Sequence, residues 1–114
     1  MKLVDGVIPI EELQQMAGHM YGNLVKADVD VVRRVVIIDM EMHADGEAEL
    51  LKGGSRQEDL WGVNLYPGRF GTPDFIEFDS MINLKPRQGN MTRGVEDAAI
   101  QERIRSIVGE MVRE

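Results

Sequence analysis

Between residues 25 and 31 apolar and polar side chains alternate. Val25, Ala27, Val29 and Val31 are separated by Lys26, Asp28 and Asp30. A period of two marks a strand with one buried and one wet face. A second strand is expected directly after it, with Val36, Ile38, Met40 and Met42 on one face and Asp39, Glu41 and His43 on the other. The connection around Arg33 carries no Gly or Asn turn signal, which leaves the hairpin without its usual sequence support.

Elsewhere the period changes to that of a helix. In "PIEELQQMAGHMYG", Ile10, Leu13, Met16, Ala17 and Met20 fall on one face. Pro9 suits a first helical position, Glu11 and Glu12 the positive end of the dipole, and Gly22 the exit. "ADGEAELLKGG" predicts a short helix with Asp45 as N-cap and Gly53 or Gly54 ending it. "SRQE" has capping-box spacing but reads as one turn, because little apolar periodicity follows. The last segment, "VEDAAIQERIRSIVGEMVRE", predicts the clearest helix, with Ile100, Ile104, Ile107, Val108 and Met111 as its apolar stripe.

Two further strands, 60–66 and 75–84, flank the loop "PGRFGTPD". Pairing Tyr66 with Phe75 sets Leu65 against Ile76, Asn64 against Glu77, Gly62 against Asp79 and Trp61 against Ser80. The order α-β-β-α-β-β-α over residues 1–114 then predicts a single α+β domain. Its expected core is a four-stranded, mainly antiparallel sheet with helices on one face.

Composition narrows the chemistry. The 114 residues include no cysteine, which removes disulfides, zinc–thiolate sites and thiol nucleophiles. Twenty acidic against thirteen basic residues give a net charge of −7, which argues against duplex nucleic acid. No apolar run approaches the ~20 residues of a membrane span. The start carries no signal-peptide pattern, so a cytoplasmic protein is expected.

Two constellations stand out. Alternation gathers Asp39, Glu41, His43, Asn64, Glu77, Asp79 and Asn83 on a polar sheet face. Carboxylates beside an imidazole suit a hard divalent metal or general acid–base work, although a solvated face shows the same alternation. The passage "KPRQGNMTRGVED" sets Arg87 and Arg93 in a Gly- and Asn-containing loop before a helix start, a setting for an anion, with Arg56 as a further cation. Glu96 and Asp97 compete for the same helix end. No phosphate-loop or dinucleotide glycine pattern is present, and no metal or cofactor is assigned.

"GSRQEDLWGVNLYP", "FIEFDSMINLKPRQGN" and "RGVED" resemble a family of short bacterial proteins catalogued only as a domain of unknown function. The resemblance runs from "EELQQMAG" through the final helix. Where that family usually has Arg-Pro, this chain has Lys85-Pro86, which keeps the charge and loses a planar donor fork. The resemblance implies a cytoplasmic bacterial protein and carries no chemistry.

Three readings follow. The leading one is a small non-catalytic module binding a small anion or a protein partner, expected as a homodimer. A metal-dependent hydrolase using the acidic face is the alternative. An RNA-binding or toxin-like protein acting through Arg56, Arg87 and Arg93 ranks last on net charge.

Overall fold

The structure, a computed structural model, describes residues 1–114. In chain order its elements are β1 (Lys2–Val4), β2 (Ile8–Pro9), α1 (Ile10–His19), β3 (Val25–Asp30), β4 (Val35–Ile38), α2 (His43–Lys52), β5 (Leu60–Leu65), β6 (Ile76–Glu77), α3 (Ala98–Met111) and β7 (Val112–Arg113). Five strands make one antiparallel sheet in the order β1-β4-β3-β5-β6, and β2 pairs in parallel with β7.

The α+β class and the helix positions agree with the sequence reading, but the sheet has five strands rather than four. The added strand is β1, whose Lys2–Val4 pairs with β4 at the edge. The helices also occupy both faces. Val25, Ala27 and Val29 of β3 point into a core of twenty buried residues closed by Leu13 and Ala17 of α1 and by Ile104, Ile107 and Val108 of α3. Burying each Val, Leu or Ile side chain of this layer contributes about 1.5–3 kcal/mol, and the layer therefore dominates stability. The opposite face is covered by α2 over a cluster of only Ile37, Met40, Leu50 and Leu60.

Local chemistry explains the hairpin that lacked a turn signal. The Asp30 carboxylate accepts from the amides of Val32 (2.9 Å) and Arg33 (2.8 Å), and Arg34 takes a left-handed φ of 58° to close the turn. A second left-handed residue, Asp39 with φ 67°, ends β4 at Ile38. The expected strand through Met42 therefore stops short, and Asp39, Glu41 and His43 do not share a strand face. His43 instead opens α2. Asp45 is not the N-cap. It lies one turn in, and its carboxylate accepts from the Met42 amide at 3.3 Å.

The predicted register holds where β5 meets β6: Leu65 faces Ile76 and Asn64 faces Glu77. Pairing then ends, and Trp61 never meets Ser80 across a ladder. Ser80 accepts from the Ile82 amide at 3.2 Å and turns the chain into a 3₁₀ turn, Met81–Asn83. Its side chain lies over Gly62, where a Cβ would come within 2.6 Å of both Ser80 Cβ and Oγ. Trp61 itself is buried.

Candidate functional site

The polar side of β3 is not wet. Asp28 and Asp30 are fully buried on the side covered by α2, while Lys26 is half-buried with its ammonium 5.1 Å from the centre of the Tyr21 ring. Gly46 allows this closeness: a Cβ there would lie 2.4 Å from Asp28 Oδ2 and 2.6 Å from Met40 Cε. Asp30 is satisfied by its turn amides and by the Ser55 hydroxyl, which donates at 2.7 Å. Asp28 is not: neither of its oxygens has a hydrogen-bond partner, and Glu47 Oε2 nearby is also unpartnered. Burial, reinforced by the charge of Glu47, pushes the Asp28 carboxyl up to about 8, against a smaller opposing pull from the Glu47 backbone N–H, which is near but outside hydrogen-bond geometry, and from Lys26. Asp28 is therefore a neutral acid at neutral pH. With no exposed surface, it meets no substrate.

The predicted polar-face residues separate into individually held groups. His43 is buried with Nε2 2.9 Å from the Val63 carbonyl; because a carbonyl only accepts, Nε2 carries the proton. Burial lowers its pKa, the Val63 hydrogen bond opposing. Asn64 donates to Glu77 (2.9 Å) and more weakly to the Asp79 carbonyl (3.4 Å), and the Tyr66 hydroxyl donates to the same Glu77 oxygen at 2.9 Å. Asp79 pairs with Arg93. Asp39 and Glu41 lie on the connection to α2, where the Glu41 carbonyl accepts from the Tyr21 hydroxyl. No group of three or more His, Asp or Glu side chains is arranged to hold a metal ion.

Asn83 belongs elsewhere. It is fully buried, and its amide takes the place of a missing strand beside Gly62: Oδ1 accepts from the Gly62 amide (2.8 Å), while Nδ2 donates to the carbonyls of Gly62 (2.9 Å) and Arg93 (2.8 Å). Asn90 fixes the other side of the loop by donating to the carbonyls of Asn83, Thr92 and Gly94 and accepting from the Glu96 amide. Lys85 and Asn90 form an antiparallel bridge with both side chains buried. Lys85 Nζ donates to the Gln57 carbonyl at 2.9 Å and sits 5.3 Å from the centre of the Trp61 ring.

This arrangement turns the loop inside out. Its polar residues Ser80, Asn83, Lys85 and Asn90 are inside, while Met81 (62 % exposed), Leu84 (39 %) and Met91 (64 %) are outside. All three lie within eleven residues of one loop. Met81 and Leu84 are three residues apart across a 3₁₀ turn, where such positions eclipse. Leu84 and Met91 flank the isolated Lys85–Asn90 bridge on the two arms of the loop.

The three predicted arginines are also separated. Arg93 is engaged by Asp79 at 2.8 Å, and Arg56 pairs with Glu58. Arg87 is exposed and in no ion pair. The amides near the helix start have internal partners. Asp97 caps α3 through the amides of Ala99 and Ile100, and Glu96 accepts from those of Met91 and Thr92.

Sequence reasoning missed Asp28, Glu47 and the exposed trio. The interior glycine of α2, Gly46, was the available signal for the first two, since glycine inside a helix marks close approach of another group. For the trio the signal was the string Asn83, Lys85, Asn90 interleaved with Met81, Leu84 and Met91, which alternation divides into half strand and half anion loop.

No helix is long and apolar enough to cross a membrane. Searches of curated proteins and of solved structures return no significant match. A family model does match residues 2–111, nearly the whole chain, and the protein belongs to that family, described as a protein of unknown function (DUF5674).

Proposed function

We propose that the protein is a small non-catalytic binding module that docks a segment of a partner protein on its 81–91 loop. The observation that carries this reading is the inverted loop: a segment held by at least seven hydrogen bonds from Asn83 and Asn90 presents Met81, Leu84 and Met91 to solvent. A loop free to collapse would bury those side chains. Exposed apolar groups on a fixed backbone are the ordinary form of a protein-binding surface, and methionine adapts to varied partners. A small anion is the weaker occupant, because the helix-start amides and Arg93 are engaged internally. The hydrolase reading lacks convergence, since His43, Glu77 and Asp79 each have a separate partner.

The test is selection of binders from an unbiased random-peptide display library on the wild-type protein. Binding of the recovered peptides is then measured on the triple variant Met81→Ser, Leu84→Ser, Met91→Ser. Peptides that bind the wild type and lose at least tenfold affinity on the triple variant are expected. Equal affinity for both proteins overturns the proposal, as does failure to enrich any peptide.

A further inference from the structure

Resting on that docking surface, a groove beside it points to the chemistry of the partner. The groove, about 590 Å³, is lined by Ile82, Leu84 and Pro86 together with Gln57, Arg87 and Gln88. Leu84 belongs both to this groove and to the exposed trio, so the two adjoin there. From Ser80 to Val95 the chain carries Lys85, Arg87 and Arg93 and not one acidic residue, within a protein of net charge −7. Lys85 is turned inward to the Gln57 carbonyl, and Arg93 is neutralised by Asp79. The one acid on the groove, Glu58, is neutralised by Arg56. The remaining charge at the groove is Arg87, whose guanidinium has no partner.

We infer that the segment docked here is acidic and apolar: an extended stretch whose carboxylate forks onto Arg87 while its apolar side chains cover Leu84, Met81 and Met91. An Arg fork matches a carboxylate bidentately, and Gln57 adds a neutral amide for the segment's backbone, the Gln88 amide being bonded to the Glu58 carbonyl. A second copy of this chain is the poorer occupant of the loop. Two loops meeting across a two-fold axis would set Arg87 near its equivalent, with Glu58, already paired to Arg56, as the one acid at the groove.

Arg87→Glu is the deciding variant, because it reverses the one free charge without removing a hydrogen bond or ion pair. The probes are the peptides recovered on wild type, resynthesised with each Asp and Glu as Asn and Gln. Acidic apolar sequences are expected among the recovered peptides. Their affinity should fall at least tenfold on Arg87→Glu and on neutralisation of the peptide, and it should weaken as salt rises from 50 to 500 mM. Recovered peptides that are neutral or basic, yet still require Met81, Leu84 and Met91, overturn the acidic class while leaving the docking surface standing. Peptides indifferent to both sets of substitutions overturn the two readings together. Concentration-dependent self-association that is lost in the triple serine variant assigns the surface to a second copy and overturns this partner.

Discussion

Val25, Ala27 and Val29 lie on one face of β3, and Lys26, Asp28 and Asp30 on the other, yet both faces are covered by helices. The first closes an apolar core of twenty residues. The second closes over four apolar residues, a carboxyl with no partner and the amides of Asn64 and Asn83. Apolar surface stabilises wherever it is buried, so the first face tolerates inexact contacts. Buried polar groups stabilise only when each atom is met, so the second face is held by specific pairings and is vulnerable wherever one is missing. Function is placed accordingly: the inverted loop grows from the second face, with Asn83 standing in for a strand.

The largest effect that would test this contrast is pH dependence at Asp28. Its folded value of about 8 lies above the ordinary carboxylate value near 4. The folded protein keeps the proton where the unfolded chain gives it up. The contribution is therefore fully present below about pH 4 and is lost as pH rises towards 8, on the order of 5 kcal/mol in all. Asp28→Asn keeps the shape and removes the titration. Urea unfolding of both proteins at intervals from pH 4 to 9 should show the variant gaining on wild type up to about pH 8 and the difference flat above it. His43 acts in the opposite sense, since its lowered pKa makes stability fall as pH drops below about 6.5, but it is common to both proteins and cancels. A constant difference across the range would mean that Asp28 is not held as a buried acid.

The first face makes its own prediction. Trp61 belongs to the twenty-residue core, and Trp61→Ala should cost about 3–5 kcal/mol by urea unfolding, with no dependence on pH between 5 and 8. A loss below about 1 kcal/mol would show that this core does not dominate stability.

The contrast also explains what the sequence made legible. Alternation set Leu65 opposite Ile76 and Asn64 opposite Glu77, because periodicity reports a buried apolar face directly. The same alternation read Asp28 and Asp30 as solvated, since a period of two states only that the faces differ. What covers the polar face is decided by α2, which crosses from β4 to β5, and no local pattern encodes that crossing. Asp39 was misplaced because one left-handed residue redirected a strand whose apolar period continued through Met40 and Met42. Residues 78–95 were hardest. Their structure is built from side-chain amides substituting for backbone partners, and Asn83 and Asn90 look in sequence like ordinary turn residues.

The smallest of the three expected effects separates the inside of the loop from its outside. Asn83→Ala removes three hydrogen bonds and leaves the Gly62 amide and carbonyl buried without partners, at a cost of about 2–3 kcal/mol. Met91→Ser, eight residues away on the same loop, removes an exposed apolar side chain and should change stability by no more than about 0.5 kcal/mol. Hydrogen exchange gives the sharper readout. In Asn83→Ala the amides of Gly62 and of residues 80–94 should exchange faster while those of α1 and α3 stay protected, because no hydrogen bond ties either helix to residues 80–94. Met91→Ser should leave the whole pattern unchanged. If Met91→Ser instead accelerates exchange across the loop, the methionine is part of what holds it together, and the exposed trio loses its standing as a surface kept free for a partner.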